Sequence, residues 1–231
     1  MGKKFDFIDS LGKYNPNKIK KKLTKVCGTK KTKNVQSNHY FYIDSYNALK
    51  DVTENVVRYI KPEEELSEEK ILALTHMVYG WMPQVLKINT EIGKEVIDIL
   101  QKMKNIKKFD NDNKELFDYI KKLTPLTKNS VVGTSKLLHF LYPTIYPIYD
   151  SRVYHSIRKM FEKKRCSQQK KYTRGDKDIL NYIAFVKWVH RISKDKEIMQ
   201  IIKKDVLDNK FADNKASKIR VIEVFLFAHG N

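Results

Sequence analysis

The stretch from Val131 to Ile157, VVGTSKLLHFLYPTIYPIYDSRVYHSI, holds two helix starts and two reactive side chains within 27 residues. Gly133 is followed by Thr134 and Ser135, so it reads as a tight turn delivering a helix N-terminus with exposed backbone N–H groups, an anion-binding geometry. Leu137, Leu138 and Leu141 share the inward face of that helix, which ends before Pro143. A short aromatic connection, Tyr142 to Tyr149 with prolines at 143 and 147, then leads to Asp150. Asp150 opens the next helix.

Outward from this stretch the helical period dominates. Upstream, Leu116 to Leu123 reads as a helix ending at Pro125, the first arm of a hairpin whose second arm starts near Gly133. Earlier still, Tyr46, Leu49, Val52, Val56, Val57 and Ile60 recur at steps of three and four until Pro62. Ile71 to Tyr79 forms another helix, preceded by Glu63, Glu64, Glu65, Glu68 and Glu69. Those carboxylates could hold a metal, but their place at a helix start points to dipole complementation instead. Asn89 caps a helix through Ile92, Val96, Ile99, Leu100 and Met103.

Downstream, Arg158 to Thr173 is basic and polar and reads equally as an exposed loop over a phosphate backbone or as a disordered connector. Asp176 caps a long helix through Ile179, Ile183, Val186, Val189 and Ile192. Helices around Glu197 to Leu207 and Lys215 to Ala228 follow. No strand-type alternation is sustained, so the expected class is all-α with about nine or ten helices.

The 46 Lys+Arg against 27 Asp+Glu give a formal charge of +19 over 231 residues, which points to a polyanionic partner, nucleic acid first. Lysine outnumbers arginine 39 to 7. Phosphate neutralisation is therefore better supplied than bidentate base reading. An A+T-rich genome that writes lysine everywhere is the competing explanation. Residues 1 to 36 carry Lys18, Lys20, Lys21, Lys22, Lys25, Lys30, Lys31 and Lys33 among few large apolar residues, and read either as a flexible basic N-terminal arm or as a short helix with a ragged flank, before a helical domain over 37 to 231.

Cys27 and Cys166 have no C-x-x-C spacing, so neither a zinc site nor a disulfide framework is expected, and no metal or cofactor. The N-terminus lacks the apolar run of a signal peptide, and no stretch approaches the length needed to span a bilayer. We expect a soluble intracellular protein, cytoplasmic and nucleoid-associated if bacterial, monomeric, with no membrane partner.

The order of these features resembles the helix-hairpin-helix DNA glycosylase superfamily, with a hairpin of type L-P-G-V-G-x-x-[TK]-A followed by D-x-[HR]-V-x-R at a helix start. Val132-Gly133-Thr134-Ser135-Lys136 stands for the end of the hairpin, and Asp150-Ser151-Arg152-Val153-Tyr154-His155 for the catalytic segment. The chain departs from the pattern in having a single hairpin glycine, Thr124-Pro125-Leu126 in place of L-P-G, and a short span from Lys136 to Asp150. The resemblance covers roughly residues 123 to 160. It implies a glycosylase that binds double-stranded DNA and removes a damaged or modified base, in repair or in defence against modified phage DNA.

On that resemblance Asp150 is the catalytic carboxylate, stabilising oxocarbenium character at C1′ and orienting water. Read alone, it is a common N-cap. Lys136 could attack C1′ as an amine and add abasic-site lyase activity, or could contact a phosphate. Gly133, Thr134 and Ser135 would meet the DNA backbone. Tyr149, with Tyr142, Tyr146 and Tyr154 near it, would line a flipped-base pocket or fill the core. Arg152 and His155 would touch DNA or lie on the surface, Trp81 would contact a base or wedge a helix break, and His139 sits on an apolar helix face. The rival readings are a non-catalytic helix-hairpin-helix DNA-binding protein and an RNA-binding helical protein.

Overall fold

The longest helix forms because apolar residues recur on three sides of it: Ile179, Tyr182, Ile183, Phe185, Val186, Trp188, Val189 and Ile192 are all buried. A helix apolar over so much of its girth must be surrounded. The computed structural model describes residues 7–12, 15–27, 45–53, 67–80, 94–106, 109, 114–161, 175–209, 212 and 216–230. In chain order the helices are α1 (Phe7–Gly12), α2 (Pro16–Cys27), α3 (Glu68–Gly80), α4 (Lys94–Lys104), α5 (Lys114–Leu123), α6 (Val131–Leu141), α7 (Ser151–Phe161), α8 (Asp176–Lys194), α9 (Lys196–Asp208) and α10 (Lys218–Ala228). Residues 45–53 are also helical, and no strand occurs among the described residues. The protein is all-α, as its periodicity predicts.

Helix α8 is the axis, packed by α1, α5, α6, α9 and α10. Helix α10 bridges α8, α9 and α7, so that α6, α7, α8 and α10 enclose the connection between Tyr142 and Asp150. Full burial of side chains such as Tyr182, Phe185 and Trp188 contributes about 1.5–3 kcal/mol each before entropy is subtracted. Caps fix the entries: Ser130 Oγ accepts from Gly133 N–H at 3.2 Å, Asp195 Oδ1 from Ile198 N–H at 3.0 Å, and Ser217 Oγ from Arg220 N–H at 3.2 Å.

Of the two readings of residues 1 to 36, arm or short helix, the described residues take the helical one. Phe7 and Leu11, then Ile19 and Leu23, each four residues apart, are buried in the common core. Helix α2 packs on α9 and α7 by that narrow stripe, while Lys18, Lys21 and Lys25 stay exposed on its outer side. Arg158 to Phe161, expected at the start of a basic loop, instead continue α7, and Arg158 is buried. Trp81 lies outside the described residues, as do residues 162–174.

The hairpin is built differently from its sequence reading. Gly133 is not the turn: it sits in the first turn of α6, buried. The reversal is made by a 3-10 segment, Thr124–Thr127, followed by Lys128 and Asn129 at φ 57° and 55°. Asn129 N–H closes it on Thr124 O at 2.8 Å. Two consecutive left-handed residues without a glycine are unusual, and the asparagine is the more tolerant of the pair.

Candidate active site

The connection Tyr142–Asp150 is enclosed, so its backbone polar groups need partners. Side chains of α6, α8 and α10, with the Ser217 N-cap of α10, supply them. His139 Nδ1–H donates to Tyr146 O at 2.7 Å, His190 Nε2–H to Ile145 O at 2.8 Å, and Ser217 Oγ–H to Pro143 O at 3.3 Å. Tyr182 Oη–H donates to Pro147 O at 3.3 Å, Tyr149 N–H to Ser135 Oγ at 3.0 Å, and Ile148 N–H to Glu223 Oε2 at 2.9 Å. The tyrosines of the strap reach outward in turn: Tyr142 Oη–H to Leu100 O at 2.7 Å and Tyr146 Oη–H to Met103 O at 2.9 Å.

The strap delivers Asp150 to the head of α7. Its Oδ1 accepts from Val153 N–H at 2.9 Å, and its own carbonyl from Tyr154 N–H, so the capping role is realised. Asp150 is only half-buried. Burial pushes its carboxyl above the usual range, while the Val153 N–H and the Lys136 ammonium pull it back down. Lys136, in the second turn of α6 and partly buried, is held below the usual lysine range by burial, against the opposing charges of Asp150 and Glu223. Lys136 and Arg152 both act on the Asp150 carboxylate through their charges, and the Arg152 guanidinium lies 4.6 Å over the Phe227 ring.

The other expected site residues are distributed otherwise. Thr134 and Ser135 are fully buried: Thr134 Oγ1 bonds Thr127 Oγ1 at 2.8 Å and Ser130 O at 3.0 Å, and Ser135 Oγ serves Tyr149. Their hydroxyls are turned inward to satisfy the hairpin and the strap, so they do not face a DNA backbone. Gly133 N–H is occupied by its cap. Tyr149 is likewise enclosed, between Phe7, Tyr182 and Phe185 at ring separations of 5.9, 5.9 and 5.5 Å. It is core, not a pocket wall. His155 is half-buried beside Tyr154, and burial lowers its imidazole below the ordinary value, with Arg158 and Lys159 adding to the effect.

Two residues of the site escaped the sequence reading. Glu223 is 3% exposed; Arg220 Nη1–H pairs with its Oε1. The detectable signal was a lone acid inside the apolar helix KIRVIEVFLFA, since an unpaired carboxylate is not buried without cause. Gly230 is the other. A Cβ there would lie 2.1 Å from Arg152 O, so the end of α10 touches the backbone of α7 two residues past Asp150.

His139, set among these groups, is neutral. Burial pulls its imidazole down to about 3, with Arg220 opposing protonation further. Its Nδ1 carries the proton toward Tyr146 O, and Nε2 accepts from Tyr46 Oη at 2.7 Å. The 3.4 Å approach of His139 Nδ1 to Glu223 Oε2 is therefore not an ion pair. Cys27 is no nucleophile at neutral pH, because burial and then Asp205 push its thiol up to about 12. Among the described residues no group of three or more His, Cys, Asp or Glu is placed to hold a metal ion, and no helix is long and apolar enough to cross a membrane. The chain matches no protein-family model, no curated protein and no solved structure.

Proposed function

We propose that the protein is a DNA glycosylase in which Asp150 is the catalytic carboxylate. The observation that carries this reading is the placement of Asp150, partly reachable at the head of α7 and within electrostatic reach of the Lys136 ammonium on the second hairpin helix. In the reaction the C1′–N bond breaks with its electron pair leaving on the base. Positive charge builds on the sugar. A carboxylate beside C1′ stabilises that charge, water adds its oxygen to C1′, and the water proton passes to Asp150 while the base nitrogen takes up a proton from solvent. Burial of Asp150 supports this role, because a raised carboxyl is the better proton acceptor. The +19 charge supplies the attraction for the DNA backbone.

The second reading, a DNA-binding protein without catalysis, is favoured by one observation: Asp150 is already engaged as an N-cap. Asp150→Asn separates the two. Asparagine caps about as well as aspartate but has no charge to offer an oxocarbenium ion. On duplexes carrying oxidised, alkylated, deaminated or hypermodified bases, wild type is expected to leave abasic sites on at least one. Asp150→Asn should leave none there while melting and binding as wild type does. Full activity in the asparagine variant would remove Asp150 from the mechanism.

A further inference from the structure

Helix α10 could have been wholly apolar on its buried side: Val221, Ile222, Val224, Phe225 and Leu226 surround Glu223, and all are buried. A carboxylate in that position is unfavourable unless its oxygens are paired and hydrogen-bonded. Here each oxygen is. Oε1 takes Arg220, whose guanidinium lies 3.5 Å over the Tyr46 ring, and Oε2 accepts the Ile148 N–H. Ile148 stands two residues before Asp150.

Resting on the glycosylase reading, we propose that Glu223 is the positioning residue of the Asp150 site: it anchors, through Ile148, the strap that carries Asp150, and it balances the cations that face that carboxylate. The polar and charged groups around it come from several elements. Arg220 lies on α10 itself, Lys136 and the neutral His139 on α6, Asp150 at the end of the strap, and the Tyr182 phenol on α8, with Arg152 acting on Asp150 from α7. Burial keeps the Tyr182 phenol uncharged well past neutrality. The ionic core is thus Arg220 and Lys136 against Glu223 and Asp150. Removing the Glu223 charge leaves Asp150 facing the cations without a second anion, so its carboxyl should release its proton more readily.

The test is a carbon-13 NMR titration of the Asp150 carboxyl in the full chain, assigned by its loss in Asp150→Asn. In Glu223→Gln, whose amide oxygen still accepts from Ile148, the midpoint should fall by roughly half a pH unit or more. The acid limb of the base-excision rate should move the same way. An unchanged midpoint in the folded variant overturns the proposal. Because the titration needs no substrate, it decides the role of Glu223 even if wild type removes no base, an outcome that would sink the glycosylase reading alone. Glu223→Asp covers the case in which the glutamine variant does not fold: it keeps the charge but shortens the reach, so exchange of the Ile148 amide should quicken several-fold. Unchanged exchange there would refute the anchor.

Discussion

Gly230 and Arg152 meet backbone to backbone: a Cβ on the glycine would fall 2.1 Å from the Arg152 carbonyl oxygen and 2.8 Å from its Cα. Neither neighbour can rotate away as a side chain would. Gly230→Ala should therefore push the end of α10 off the first turn of α7, at an overpacking cost of about 1–3 kcal/mol. Urea unfolding measures it. A variant as stable as wild type would mean that the two backbones are not in this contact.

His139 makes the fold sensitive to acid. Its folded value, about 3, lies below the unfolded-chain value of about 6.5. From about pH 6.5 down to about 3 the unfolded chain binds a proton that the folded chain refuses, so this contribution is complete above the window and lost as pH falls through it. One proton corresponds to about 1.4 kcal/mol per pH unit. The raised carboxyls of Asp150 and Glu223 act in the opposite sense, so the comparison should be with His139→Gln, in which the histidine slope alone disappears. Parallel stability-against-pH curves for the two proteins would contradict the buried neutral assignment.

Lys136 and Asp150 should be linked through their charges. Lys136→Met retains most of the side chain's bulk and removes the ammonium that lowers the Asp150 carboxyl, so the Asp150 midpoint should rise. The acid limb of base excision should move to higher pH with it. A midpoint that stays in place would show that the two groups do not feel each other.

Binding to duplex DNA should weaken steeply with salt. Lys18, Lys21, Lys25 and Lys128 are exposed. If three phosphates are engaged, affinity should drop roughly 40-fold between 50 and 200 mM salt. Affinity indifferent to salt would remove nucleic acid as the partner.

The helices were legible because their apolar residues keep the 3.6 period and their ends carry strong markers, such as the prolines after α5 and α6 and Asp150 before α7. Less legible was everything decided by which way a small polar side chain turns. Thr134 and Ser135 look like exposed helix-start residues, yet both are claimed by internal partners more than a turn away in sequence. The dense lysines of α2 hid the two-residue stripe of Ile19 and Leu23. The turn at Lys128 and Asn129 carries no glycine to announce it, and so the nearby Gly133 drew the reading. Glu223 joins the site from 75 residues beyond Ile148, a distance over which no local pattern extends.

The strap between Tyr142 and Asp150 also bears on how the chain reaches this state. Its backbone is secured by groups 35 residues downstream at Tyr182 and 75 downstream at Glu223, and its Tyr142 hydroxyl reaches 42 residues upstream to Leu100 O, so the local contacts to His139 and Ser135 are only part of what holds it. Such contacts close large loops, and their entropy is compensated only when the participating helices are already docked. The carboxylate at the head of α7 therefore takes its final place only once α10 is seated on α7 and α8. A chain in which α10 has not yet docked would carry Asp150 on a strap that lacks its Glu223 anchor.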